Sequence, residues 1–322
     1  LLTLLDPIEG TRSWNLPLPG DSSGTVTVVG NAAIVPIGWS ATSGPGLVAI
    51  DLGRADSSWW HPLDDTATLV QHVGDVIVVA TRLGLTALDR TTGDALWSTE
   101  LQFEIRDAVV DGDWAYVIDA IGVHAIDLIS GEVRWHLPVD RPDRITAVGG
   151  LLAVAASTTV IAVDTELQGI LWEQRVGRAG ASRLHIGGDT VVAELSPSAA
   201  PTGGAVALDR QTGNERWRVE AIDDFRWTTP EQLITSTVPA DSSPSEPYDV
   251  IAIDAATGAT GWSIPTSAPA RTAVVATAPN RVLIADPHPG AVDTTRVRFV
   301  DSATGLVLWE RTSALPVDDA VI

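Results

Sequence analysis

The chain has 322 residues but no cysteine and no lysine, and all 20 of its cationic residues are arginine. Without cysteine there are no disulfides, no thiolate nucleophiles and no thiolate metal ligands. Without lysine there is no phosphate-loop lysine, no Schiff base and no serine–lysine dyad. No apolar run reaches the roughly 18 residues of a membrane-spanning helix. These absences exclude several classes of enzyme and metalloprotein.

Positive charge is also scarce, because the formal net charge is -21. Nucleic acids and anionic membrane surfaces are bound through clustered cations, so we expect neither as a partner. The use of Ala, Val, Asp and Arg in place of Ile, Asn and Lys suggests a bacterial source. Residues 1–5 are too short for a signal peptide and the first residue is Leu. We therefore expect a leader or membrane anchor upstream.

One phrase, AIDLISGEVRW at residues 125–135, occurs eight times in all, with small changes. Each copy places an Asp eight residues before a Trp, with a Gly midway in six copies and Ala55 or Gln168 in the other two. The pairs are Asp6 and Trp14, Asp51 and Trp59, Asp89 and Trp97, Asp127 and Trp135, Asp164 and Trp172, Asp209 and Trp217, Asp254 and Trp262, and Asp301 and Trp309.

Successive Trp residues of the phrase are 37 to 47 residues apart, close to the roughly 40 to 50 residues of one propeller blade. Each interval contains four short strand patterns, A to D. The sequence therefore predicts an all-β, eight-bladed β-propeller in a single domain, 1–322. Seven full blades lie between the ends, and the eighth is a composite of residues 1–18 and 315–322 that closes the fold by pairing the N- and C-terminal strands. Strand B of this composite blade has no counterpart in the sequence.

The residues of the phrase suit structural docking. An Asp at the end of strand C can accept hydrogen bonds from turn N–H groups, and Gly adopts positive φ at low cost. The Trp is then expected to pack between blades. All sixteen Asp and Trp residues are thus predicted to be structural.

The pattern from Ala252-Ile253-Asp254 through Gly258 to Trp262 resembles the tryptophan-docking repeat of the PQQ-like β-propellers. That family includes quinoprotein alcohol dehydrogenases and a non-enzymatic, BamB-like branch of envelope proteins. The resemblance to the enzymes implies a calcium site with acidic and Asn ligands and usually an adjacent cysteine pair. This chain has no cysteine and four Asn. The resemblance therefore favours the non-enzymatic branch, with no catalytic residue, cofactor or metal, and an extracytoplasmic, membrane-anchored location.

Five consecutive intervals carry an arginine just before strand A. Arg106, Arg144, Arg226 and Arg271 follow their Trp by nine residues, and Arg183 follows Trp172 by eleven. Because strand A is innermost in a blade, we expect these side chains around the mouth of the central channel. They either pair with nearby acids such as Asp107, Asp143 or Asp224, or they receive an acidic partner segment or a small anion through bidentate guanidinium contacts.

The longer intervals have inserts between strands B and C, at 38–45, 196–203, 238–248 and 286–295. In a blade these inserts emerge on the same face as the connections from strand D to the next strand A. Trp39 and Tyr248 are candidate contact aromatics there, or partly buried loop anchors. The leading hypothesis is a non-enzymatic scaffold of the bacterial cell envelope that binds a protein partner through this face. The alternatives are a ligand-sensing extracytoplasmic domain that binds a small anion and a PQQ-dependent dehydrogenase.

Overall fold

The computed structural model consists of β-strands joined by turns and loops. It describes residues 2–5, 12–39, 44–177, 180–195, 204–220, 222–229, 231–237, 249–266, 273–278, 280–287 and 294–313. Within these ranges there is no helix, and in particular none long and apolar enough to cross a membrane. The prediction of an all-β protein is confirmed.

The strands form one two-stranded sheet and seven four-stranded sheets, each an antiparallel meander in chain order. The first sheet pairs β1 with β2, and the next three are β3 to β6, β7 to β10 and β11 to β14. Their bounds are Leu2–Leu5, Arg12–Leu16, Thr27–Val29, Ala32–Ile37, Gly46–Asp51, Asp56–Pro62, Leu69–Val73, Val76–Ala80, Gly84–Asp89, Ala95–Glu100, Asp107–Asp111, Trp114–Ile118, Gly122–Asp127 and Val133–Pro138.

The remaining four sheets are β15 to β18, β19 to β22, β23 to β26 and β27 to β30. The bounds of these strands are Pro142–Val148, Leu151–Ala156, Thr159–Asp164, Gly169–Arg175, Ala181–Gly187, Thr190–Leu195, Gly204–Asp209, Glu215–Glu220, Ile222–Thr229, Gln232–Thr237, Asp249–Asp254, Thr260–Pro265, Ala273–Ala278, Arg281–Pro287, Thr295–Asp301 and Val307–Ser313. Four-stranded meanders repeated in this way are the blades of a β-propeller, and we call them blades 1 to 7.

The prediction of eight blades is wrong, because the described residues contain seven. The sequence count rested on the Asp–Trp phrase, which occupies only strands C and D of a blade. Eight such hairpins exist, but the first, β1 and β2, forms a sheet of its own with two strands. The predicted partner segment, 315–322, lies outside the described residues.

The chain divides into two compact units. Unit 1 comprises residues 1–6, 11–157 and 163–169, and unit 2 comprises residues 7–10, 158–162 and 170–322. The prediction of a single domain stays a prediction.

In unit 1 the middle strands of each blade are buried on both faces. Ile34 and Leu47 of blade 1 pack against Ile77 and Leu88 of blade 2, and all four are fully buried. Covering such a side chain contributes roughly 1.5 to 3 kcal/mol. The D strands instead alternate, as in β10, where exposed and half-buried residues follow one another. The core of the unit is therefore built between blades.

Unit 2 follows the same plan. Val192 and Ala207 of blade 5 pack against Leu233 and Ile253 of blade 6. On its other face, blade 6 packs through Ile234 and Ala252 against Val282 and Ile284 of blade 7. Small Ala and branched Val or Ile side chains fit such closely packed sheets.

The Asp of the repeated phrase organises the turn between strands C and D. Asp127 Oδ1 accepts the N–H groups of Ile129 and Ser130, both at 2.9 Å. Asp51, Asp89, Asp164, Asp209, Asp254 and Asp301 accept turn N–H groups in the same way. Asp6 lies outside the described residues.

The Trp of the phrase reaches the turn of the following blade. Trp97 Nε1 donates to the Leu128 carbonyl at 2.8 Å. In unit 1 Trp14 and Trp59 donate to Leu52 and Arg90, and in unit 2 Trp172, Trp217 and Trp262 donate to Arg210, Ala255 and Ser302. The other two Trp rings contact aromatics of their own blades, Trp135 on Tyr116 and Trp309 on Phe299.

Candidate functional site

In each unit the D-to-A and B-to-C connections lie together. The Ile105 N–H donates to the Arg82 carbonyl at 2.8 Å, joining the β10–β11 connection to the β8–β9 turn. The Val139 N–H similarly donates to the Ile121 carbonyl in unit 1, and the Val176 N–H to the Thr158 carbonyl in unit 2. We call the surface that these connections form in unit 1 the loop face.

Two of the five predicted arginines lie near each other on the loop face. Arg106 is exposed, and its Nη1 donates to the Pro142 carbonyl of blade 4 at 2.8 Å. Arg144, two residues beyond Pro142, donates from Nη1 to the Asp143 carbonyl at 2.6 Å and approaches Asp143 Oδ1 at 3.4 Å. The contact of Arg106 joins blade 3 to blade 4, and that of Arg144 lies within blade 4.

The other three arginines belong to unit 2. Arg183 is exposed on β19, where it lies opposite Glu194 of β20 in the strand register. Arg226 lies on β23 opposite Ile234, but its side chain is outside the described part of the chain. Arg271 and Tyr248 are also outside it.

The carboxyl group of Asp107 accepts hydrogen bonds from main-chain N–H groups of two blades. Its Oδ2 accepts the Ile145 N–H of blade 4 at 3.0 Å, and its Oδ1 accepts the Ala108 N–H. Burial raises the pKa of this carboxyl group. Asp107 therefore connects the inner strands of blades 3 and 4.

Arg82 was missed by the sequence reasoning because it follows strand B rather than preceding strand A. Its Nη1 contacts Glu104 at 2.6 Å and its Nε contacts Asp65 at 3.4 Å. The hydrogen bond to Glu104 raises the pKa of Arg82. One guanidinium thus joins the two D-to-A connections that flank blade 2 on the loop face.

Trp39 is the exposed aromatic of the loop face. It follows β4 at the start of the blade 1 insert and is 68% exposed. Nearby, the Gly38 N–H donates to the Asp21 carbonyl at 3.0 Å, which holds the base of the insert. The two roles considered for Trp39, contact aromatic and loop anchor, both stay predictions.

A buried polar network supports the loop face in blade 3. Asp119 is 1% exposed and accepts the N–H groups of Ile121 and Gly122. His124 Nε2 lies 2.8 Å from Asp119 Oδ2, and the ring of His136 lies 4.7 Å from that of His124. The network fixes the β12–β13 turn against strands C and D.

A second buried network lies at the ends of the blade 7 insert, in unit 2. Asp286 contacts both Arg296 and Arg298, and Arg298 Nη1 donates to the Pro265 carbonyl of blade 6 at 3.0 Å. Burial lowers the pKa of Arg298, whereas the hydrogen bond to Asp286 raises that of Arg296. These two arginines have no periodic signal in the sequence, because they replace apolar residues of strand C.

Among the described residues, no group of three His, Asp or Glu side chains could hold a metal ion.

The comparisons with known proteins agree with this architecture. The sequence profile of the family described as outer membrane protein assembly factor BamB matches residues 1–149, 144–240 and 202–318. The chain belongs to the BamB family. The resemblance noted in the repeated phrase is thereby confirmed. No curated protein sequence matches the chain.

Solved structures show the same fold at low sequence identity. BamB from Moraxella catarrhalis is 20% identical and has a TM-score of 0.60, with coverage of 90% of this chain and 85% of that one. The computationally designed Ika8 protein is 14% identical with a TM-score of 0.70, covering 94% and 90%. Quinohemoprotein alcohol dehydrogenase from Comamonas testosteroni is 14% identical with a TM-score of 0.59, covering 94% and 68%.

Proposed function

We propose that this member of the BamB family is a non-enzymatic scaffold of the bacterial cell envelope that binds a protein partner through its loop face. The observation that carries the proposal is the 68% exposure of Trp39 on that face. A large exposed aromatic is costly in water, and aromatic residues are enriched in the centres of protein interfaces. The name of the family, an outer membrane assembly factor, supports a partner in the envelope.

The arginines of the loop face supply the polar part of the proposed interface. Arg106 uses one N–H group on Pro142, and Arg144 donates to the main chain of Asp143. Guanidinium groups bind carboxylate oxygens through paired N–H groups, so Arg106 and Arg144 suit an acidic segment of a partner. The proposal also includes Arg183, Arg226, Arg271 and Tyr248, which belong to unit 2.

The scaffold proposal includes an extracytoplasmic location and attachment to the membrane. It also assigns the Asp and Trp residues of the repeated phrase to docking between blades. The indole-to-carbonyl contacts within each unit support this assignment.

The test is affinity capture from envelope extracts, followed by reconstitution with the purified captured protein. We expect Trp39→Ala and Arg106→Glu each to weaken binding by about tenfold or more, as substitutions at interface centres commonly do. Ile129→Ala is the matched control, because Ile129 is 85% exposed on a C–D turn.

Loss of binding in the two loop-face variants, with binding retained by Ile129→Ala, supports the scaffold. Equal binding by all four proteins contradicts the proposed face. If nothing is captured but a small carboxylate or phosphate raises the melting temperature of the native protein and not of Arg106→Glu, the anion-sensing function replaces the scaffold.

A further inference from the structure

A groove of about 530 Å³ lies in unit 1 beside the outer strand of blade 1. Leu16 and Leu18 line one side, Val48 and Ile50 lie at its base, and residues 56–60 of β6 form the other side. Its volume falls within the roughly 300 to 1,000 Å³ of ligand-binding pockets. The groove is separate from the loop face residues Trp39 and Arg106.

The strand beside this groove is a sheet edge. The blade 1 sheet has the order β3-β4-β5-β6, and among the described residues β6 pairs only with β5. Five consecutive β6 residues line the groove. An exposed edge with an adjoining apolar groove can accept an added strand, since main-chain hydrogen bonds give affinity and the groove accommodates alternate side chains.

Trp60 forms a fixed wall of the groove. The residue is 40% exposed, and its ring covers Gly46 so closely that a Cβ atom there would lie 2.4 Å from Trp60 Cζ2. Glycine at position 46 therefore allows the indole to lie against the sheet. An aromatic side chain held in place before binding loses little conformational entropy on binding, which favours affinity.

The negative charge of the chain indicates what kind of segment would bind in the groove. Asp56 lines the groove, and the chain carries a net charge of -21. A second copy would bring the same negative charge to the groove, whereas a basic segment would be attracted to it. We propose that the groove binds an extended segment of another protein, with apolar residues alternating with Lys or Arg, as an additional strand beside β6.

The test uses a synthetic peptide of alternating Leu and Lys and the same peptide N-methylated at alternate amides. Both have the same charge and side chains, but N-methylation removes the donors needed for strand pairing. Calorimetry at physiological salt gives the affinity, and hydrogen exchange of residues 56–62 gives the location. We expect the unmodified peptide to bind and to slow exchange in β6, with binding weakened at least about tenfold by N-methylation.

Three variants locate the site. Trp60→Ala is expected to weaken binding by about tenfold or more, while Trp39→Ala on the loop face leaves it unchanged. Asp56→Asn reduces binding and its dependence on salt, and its amide oxygen can still accept the Ser57 N–H that Asp56 accepts now. It serves as the second site variant if Trp60→Ala does not fold, as judged by circular dichroism.

Three results would overturn the proposal. The first is equal affinity of the two peptides, which indicates attraction by charge alone. The second is protection outside β6. The third is a concentration-dependent dimer of the native chain that Trp60→Ala abolishes, since the groove would then bind a second copy.

Discussion

The indole ring of Trp97 lies against Gly131 of the next blade, where a Cβ atom would lie 2.8 Å from Trp97 Cδ2. Gly131 also has a φ of 73°, a region that costs other residues about 1 to 2 kcal/mol. Two independent restrictions, the backbone and the ring, therefore act on the same position. The corresponding Gly93, Gly213, Gly258 and Gly305 are restricted in the same two ways.

Gly131→Ala is predicted to lower the free energy of unfolding by roughly 2 to 4 kcal/mol, from the backbone cost and the displaced ring together. Gly112→Ala is the matched control. Its φ is 58°, but nothing lies within 4 Å of the added Cβ atom, so only the backbone cost of roughly 1 to 2 kcal/mol applies. Urea denaturation of both variants measures the difference, and equal losses would show that the ring contact has no effect.

Acid should weaken the turns of the repeated phrase. The pKa of Asp209 is lowered by Arg216 and by turn N–H groups. The pKa values of four other aspartates of the phrase are also lowered. A hydrogen bond from a turn N–H group is the main cause for Asp89 and Asp127, and one from a threonine hydroxyl for Asp254 and Asp301. A carboxyl group whose pKa is lower in the folded protein stabilises it above the unfolded pKa, near 4, and this stability is lost as pH falls toward the folded pKa.

The measurement is the free energy of unfolding between pH 7 and pH 2 for the native chain and Asp209→Asn. We expect the native chain to lose stability below about pH 4 and the variant to lose less over the same range. A parallel decrease in both proteins would assign the acid sensitivity to other groups.

Buried and exposed arginines should differ strongly in their effect on stability. The side chain of Arg298 is 6% exposed and that of its partner Asp286 is fully buried, so Arg298→Ala is predicted to cost roughly 3 to 5 kcal/mol. The side chain of Arg82 is 57% exposed, and Arg82→Ala should cost far less, because exposed ion pairs contribute little to stability. Thermal unfolding distinguishes the two, and a small loss for Arg298→Ala would show that water reaches the vacated space.

A variant of Arg106 tests whether this side chain contributes both to the stability of the fold and to partner binding. Arg106→Ala removes the hydrogen bond to Pro142 and should cost about 1 kcal/mol, measured by urea denaturation. Ser98→Ala on strand D, which removes a hydroxyl contact with Thr86 of strand C, provides a control outside the loop face. If Arg106→Ala is neutral for folding but impairs partner binding, the side chain acts in binding alone.

Much of the fold could be predicted because the phrase has a local physical cause. The Asp, Gly and Trp positions satisfy a turn and a ring contact, and their spacing sets the length of a blade. The number of blades could not be obtained from the phrase, since Trp14 and its hairpin carry the same signal as a complete blade. A hairpin and a blade differ only in strands A and B. The apolar patterns of these two strands are less specific than the Asp–Trp phrase on strands C and D.

The site was less predictable than the fold. The spacing of Arg106 and Arg144 after Trp97 and Trp135 placed both on the loop face, but it gave no indication that Arg106 would donate to Pro142. Arg298 and Asp119 lie in buried networks. The partners of Arg298 are distant in sequence, and His124, the partner of Asp119, interrupts the apolar pattern of its strand. Such contacts depend on the three-dimensional arrangement of the strands and have no periodic signature.

The contact between Trp97 and the turn at Gly131 also has a consequence for how such chains change length during evolution. Each interval from one Trp to the next contains a turn that receives the preceding ring and a ring for the following turn. Duplicating or deleting a whole interval therefore keeps the number of rings and the number of receiving turns equal, whereas a break elsewhere leaves one indole without a turn and one turn without an indole. Gene rearrangements in this family should accordingly preserve the Trp-to-Trp interval as the inherited module.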